Sequence, residues 1–200
     1  MPATLSDLLQ QQPIWRGGHS AKPAHAVATG HAPLDRLLGG GWPQGALTEL
    51  LSKHSGIGEM RILLPALANI SRNRWVVLVN PPYVPYAPAL ANHGLNLKQL
   101  LVVRPGAQDR LWAAEQCLRS AACGAVLSWF DDLDFRRSRR LQLAAEAGQS
   151  CGFVFRQRDS SEATAAALRL SLNGSNSALQ LAVLKKRGAL GREQLAVGMH

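Results

Sequence analysis

Along this chain, short and nearly continuous apolar runs alternate with longer stretches whose apolar residues recur at helical spacing. Ala46–Leu51, Arg74–Val79, Gln99–Val103, Gly124–Phe130 and Gly152–Arg156 read as strands. Runs of this kind suit a parallel sheet covered on both faces. Between them the spacing predicts helices from Gly58 to about Ser71, Ala87–Asn92, Arg110–Ala121 and Asp134 to about Ala147. The first buries Ile62, Leu63, Leu67 and Ile70 and carries Pro65 inside it, which predicts a kink or a distorted first half. The alternation through residue 156 predicts an α/β protein with a mostly parallel sheet flanked by helices. Leu168–Leu172 and Leu179–Lys186 then alternate around Asn173-Gly174, the pattern of a C-terminal antiparallel β-hairpin. Upstream, Thr4–Gln12 predicts a short helix, and Pro13, Gly17, Gly18 and Pro23 make the following residues a linker. The expected division is therefore 1–28, N-terminal helix and linker; 29–188, one domain; 189–200, a flexible tail.

Composition narrows the classes. The chain has 200 residues, 46% hydrophobic and 18% charged, ordinary for one globular domain. Nothing approaches the ~20 apolar residues of a membrane span, and the N-terminus lacks the order of a signal peptide. Cys117, Cys123 and Cys151 are odd in number and lack zinc-ligand pairing, so reduced thiols in the cytoplasm are expected. The net charge of +9 favours nucleic acid or an acidic protein surface as partner, although soluble proteins without such a role share it.

Candidate chemistry centres on Thr29–Arg72. Gly39-Gly40-Gly41-Trp42-Pro43-Gln44-Gly45 leads into the first long strand, and a loop with Gly56-Ile57-Gly58 leads out of it towards a helix. Strand, glycine loop and helix is the geometry in which backbone N–H groups cradle phosphates. A P-loop also needs G-x-x-x-x-G-K-[ST]. With Gly58 as the last glycine, Lys53 stands at the first, Glu59 at the lysine and Met60 at the hydroxyl. The expected Walker A site is degenerate. The strand GAVLSWF occupies the Walker B place with Ser128 and Trp129 where an Asp is needed, and Asp131 and Asp132 beyond it read as helix caps.

Thr-Gly, Leu-Asp three residues on, Leu-Leu-Gly-Gly-Gly, a Pro, a Gly and the strand resemble the start of the ATPase core of RecA-like recombinases. Further stretches are similar to the ImuA family: Trp42-Pro43 through Leu50, Gly56–Glu59, Asn80–Leu90, Leu111–Gln116, Leu118–Ser120, Cys123–Leu127 and Arg140–Glu146. The resemblance spans roughly residues 25–188. It implies a RecA-like domain over 29–188 and a non-catalytic accessory role in the SOS-induced mutasome. There the partners would be ImuB and an error-prone alpha-subunit DNA polymerase in translesion synthesis, with RecA a further candidate. It implies no cofactor, and a catalytic glutamate's neighbourhood is taken by Pro81 and Pro82. The related SulA proteins, SOS inhibitors that bind FtsZ, share the Pro-Pro strand end but lack the stretch matching Thr29–Gly45. They supply the alternative function, and an ATPase with a substituted site is a third. RecA-like cores often self-associate, so self-association is allowed.

Two basic groups are candidate partner or DNA surfaces. Arg136, Arg137, Arg139 and Arg140 share one predicted helix, and Lys185, Lys186 and Arg187 end the last predicted strand. DNA contact, directly or through a complex, and contact with an acidic partner remain open for both. The plain alternatives are a solvated helix face and protection of a sheet edge.

Overall fold

The computed structural model describes residues 25–130, 132–157, 163–174, 178–187 and 193–198. The expected helix Thr4–Gln12 lies outside them. A small antiparallel pair, β1 (Ala26–Val27) and β2 (Trp42–Pro43), brackets α1 (Ala32–Leu38). There follow β3 (Ala46–Ser52), α2 (Leu64–Ile70), β4 (Trp75–Val79), α3 (Ala87–Asn92), β5 (Leu100–Val103), α4 (Arg110–Arg119), β6 (Cys123–Trp129), α5 (Phe135–Gly148), β7 (Cys151–Arg156), β8 (Leu168–Gly174), β9 (Ala178–Lys186) and β10 (Gln194–Gly198).

The main sheet has eight strands in the order β10-β9-β8-β3-β7-β6-β4-β5. From β8 to β5 neighbours are parallel; β9 and β10 add antiparallel at one edge. This is the expected α/β sheet with its C-terminal hairpin. Within the expected tail 189–200, the described Gln194–Gly198 is a strand paired with β9. Its alternation of half-buried Leu195 and Val197 with exposed neighbours seats one face on the core.

Strand alternation sends residues to two cores. Leu50, Leu78, Leu127, Phe153 and Leu170 face α1, α2 and α3, where Trp42 meets Phe153 edge to face at 5.4 Å. Leu47, Val77, Val126 and Val154 face α4 and α5. The Thr-Gly…Leu-Asp phrase has a local cause: Thr29 N–H donates to Asp35 Oδ1 at 2.7 Å, closing the turn that starts α1. The α2 helix starts at Leu64, later than the expected Gly58. Pro65 lacks the N–H that an interior position needs but sits without loss in a first turn. Residues 58–63 form turns instead.

At the amino end of the sheet Arg74 gathers four carbonyls: Ala121, Cys123, Gly148 and Gln149, at 2.7–3.1 Å. Two of them end α5, so a cation stands where a helix C-terminus is negative. All three cysteines are free among the described residues. Burial pushes the Cys151 thiol up to about 12 and, with a small contribution from Cys123, Cys117 up to about 11. A pKa raised on folding stabilises the native state below the unfolded thiol value, and that contribution is lost as pH rises towards 11–12. The urea midpoint is therefore expected to fall between pH 9 and 11, and to fall less in Cys151→Ala.

Candidate functional site

Leaving β3, the chain turns at Gly56 and Gly58, whose φ values of +75° and +94° suit glycine. Within this loop Glu59 Oε1 accepts the Gly56 N–H at 3.0 Å. The carboxylate thus fills the loop's own donor, the type of group that cradles a phosphate. Met60 and Ile57 pack on the core behind it, and a Cβ at Gly174 would stand 2.7 Å from Ile57 Cβ. Gln157 Nε2 donates to Ser55 Oγ, tying the loop to the end of β7. No helix N-terminus abuts Gly58, since α2 begins six residues later. Lys53 stands exposed at the start of the loop.

At the end of β6, where a Walker B aspartate was looked for, Ser128 is buried, and Trp129 stacks on Phe155 with ring centroids 4.7 Å apart and planes 7° from parallel. Asp132 does not cap the next helix. Asp134 does, accepting the Arg137 N–H at 2.7 Å. Beyond β4, Pro81 is buried, and the Arg104 guanidinium binds the carbonyls of Pro81 and Tyr83 at 3.1 and 3.2 Å. Among the described residues, no three His, Cys, Asp or Glu side chains form a group able to hold a metal ion, and no helix is long and apolar enough to cross a membrane.

The four arginines of α5 are all exposed but differ in engagement. Arg137 reaches Asp132 at 3.4 Å and Asp134 at 3.9 Å; Arg140 reaches Glu115 of α4 at 2.5 Å. Arg136 and Arg139 have no ion-pair partner among the described residues. The second basic group is split by strand alternation. Lys185 Nζ donates to the Thr164 carbonyl at 2.9 Å, Lys186 Nζ to the Leu37 carbonyl of α1 at 3.1 Å, and Arg187 reaches Glu146 of α5 at 3.5 Å. Partial burial, with Arg169 and Arg187 nearby, lowers the pKa of Lys185. Adjacent in sequence, these cations point to separate parts of the molecule.

Two features escape a reading by periodicity. Glu49, 1% exposed in the middle of β3, binds Arg156 of β7 at 2.7 Å, Thr164 Oγ1 at 2.9 Å and Arg169 of β8. Its signal was a carboxylate inside the apolar run ALTELL. The other is α5 as a hub: Gln142 Oε1 accepts the Leu47 N–H of β3 at 2.9 Å, while its amide donates to Glu146.

No family model matches the chain. It is similar to the cell division inhibitor SulA of Photorhabdus laumondii, 34% identical over 109 residues, 54% of this chain and 62% of that protein. SulA of Edwardsiella piscicida is 29% identical over 110 residues, 54% of this chain and 66% of its own. RecA of Prochlorococcus marinus strain NATL1A is 32% identical over 117 residues, 57% of this chain and 31% of RecA. The chain thus spans less than two thirds of each of these relatives. At about 30% identity over half of the chain, these likenesses support a relationship to SulA and RecA.

Proposed function

We propose that the chain is a non-catalytic accessory protein of the SOS-induced mutasome, supporting error-prone translesion synthesis with ImuB and an alpha-subunit-type DNA polymerase. The observation that carries the non-catalytic half is the Glu59 carboxylate on the Gly56 N–H. A phosphate entering there would meet a like charge, a repulsion of ~1 kcal/mol at 4 Å in water and several times that near a protein surface. Met60 offers no oxygen to Mg²⁺, a hard cation, and Pro81 and Pro82 offer no general base. The likenesses to SulA and RecA support an SOS-associated role, and the motifs shared with ImuA support the mutasome within it.

Calorimetry with Mg-ATP at millimolar concentration is expected to show no binding, for the protein and for Glu59→Lys alike. A saturable isotherm for the unaltered protein would return it to the ATPases. Coprecipitation from DNA-damaged cells tests the partners: the mutasome polymerases are expected. The 34% identity to SulA favours a second reading, an inhibitor of cell division, and recovery of FtsZ instead of the polymerases establishes it.

A further inference from the structure

We propose that the open edge of β5 takes up an extended segment of a partner protein as an added strand, apolar at its centre and carrying Asp or Glu at its ends. The proposal rests on the accessory-protein reading above and names the surface it would use. β5 ends the sheet, and among the described residues nothing pairs with its outer side. The Val103 carbonyl accepts the Asn80 N–H at 2.8 Å and so faces β4; alternation turns the N–H and carbonyl of Val102 outward. Beyond its shortness, the strand lacks the usual guards of an edge: Leu100-Leu101-Val102-Val103 contains no charge, proline or bulge. Leu101 pairs with Val77 and stands on the α4 side of the sheet; Val102 pairs with Leu78 and stands on the α3 side. They are 46% and 39% exposed, so both faces of the sheet end here in uncovered apolar surface. Of the ten large apolar side chains exposed among the described residues, seven lie between Trp75 and Val102. Tyr83 belongs to the same edge, because the Arg104 guanidinium that follows β5 binds its carbonyl at 3.2 Å. A concentration of this kind marks a contact surface.

Charge and pairing select the occupant. No Asp or Glu stands between Glu59 and Asp109, while Lys98 and Arg104 bracket the strand. A second copy of this chain is disfavoured: an antiparallel pair centred on Leu101 would set Lys98 opposite Arg104 of the other copy, like against like. A nucleic-acid backbone needs a row of cations, and the strand between these two offers it only aliphatic side chains. An added strand with an apolar centre meets every feature. Its backbone pairs with the outward N–H and carbonyl of Val102, its side chains extend the apolar rows of Leu101 and Val102, and its terminal carboxylates reach Lys98 and Arg104. In strand addition the main-chain bonds supply affinity and the flanking side chains specificity.

The test titrates the isotope-labelled full chain with a synthetic peptide of about eight residues, within the ordinary length of a strand. The peptide has a Val-Ile centre and Glu at both ends. Slowed exchange of the Val102 amide and saturable NMR shifts in β5, Tyr83 and Tyr86 are expected. Val102→Pro removes the outward N–H at a sheet edge, where proline is tolerated, and affinity is expected to fall about tenfold or more. Lys98→Glu should bind this peptide more weakly and a version with Lys at both ends more tightly. Leu143→Ser, exposed on α5, should bind like the unaltered chain. A Val102 amide already protected in the free chain would mean that the chain covers its own edge, and overturns the proposal. So do an absence of binding, variants of equal affinity, or an oligothymidylate that protects the same amide more strongly. Coprecipitation with Val102→Pro separates this failure from that of the function. Polymerase partners retained equally by this variant and the unaltered chain sink only the strand addition; none retained by the unaltered chain sinks the accessory role.

Discussion

Glu49→Leu is expected to lower stability by about 3–5 kcal/mol, the cost of removing one partner from a buried ion pair. The carboxylate serves Arg156 and Arg169 at once and also accepts the Thr164 hydroxyl, joining β3, β7, β8 and the segment before β8. Leucine fills similar space but strips both guanidiniums of the carboxylate they share, in a site where Arg156 is 3% and Arg169 8% exposed. Glu49→Gln keeps an acceptor and should fall between. Replacing Glu49, Arg156 and Arg169 together by apolar residues is expected to cost far less, because the buried guanidiniums leave together with the carboxylate they share. Urea denaturation of the three variants decides the matter. If the triple variant is as damaged as Glu49→Leu, the loss comes from packing and the electrostatic account fails.

Gly148→Val is expected to cost about 3 kcal/mol or more, the upper range for overpacking. A Cβ at this position would lie 2.0 Å from the Leu118 carbonyl oxygen and 2.8 Å from the Arg119 carbonyl carbon. These are backbone atoms of the last turn of α4, and no rotamer change moves them away. The helices would have to part, breaking the 2.7 Å bond from Ser150 Oγ to the Leu118 carbonyl and disturbing the Arg74 clamp on the Gly148 carbonyl. The obstacle at Gly174 is the Ile57 side chain with its backbone further off, so Gly174→Ala should cost less. An unfolding free energy from urea denaturation within about 1 kcal/mol of the unaltered protein would mean that α4 and α5 separate freely.

The sheet was legible because its strands announce themselves locally: runs such as WVVLV and GAVLSW, buried on both faces, leave little else for the chain to form. Helix existence was legible by the same periodicity, and the late start of α2 followed from one proline whose effect was foreseen but not placed. The strand within the expected tail was missed because Gln194–Gly198 has only two large apolar residues, and a strand so weakly patterned is decided by the edge of β9 that receives it. At the candidate site, the residues of the loop after β3 could be named in advance, since each departs from a fixed spacing. That Glu59 turns back onto the Gly56 N–H is a matter of loop conformation.

Charges were the least legible. Arg136 to Arg140 look alike in sequence, yet Asp132, Asp134 and Glu115 engage two of them and leave the others outward. Lys185, Lys186 and Arg187 look like one cluster, yet a strand's alternation sends them to different neighbours. Glu49 meets its partners across 107 to 120 residues of chain. Apolar burial is short-ranged in its sequence logic, because any core-facing position accepts any apolar residue of suitable size. A buried charge needs a particular partner at hydrogen-bond distance, and only the packing of β3 between β7 and β8 brings that partner within reach.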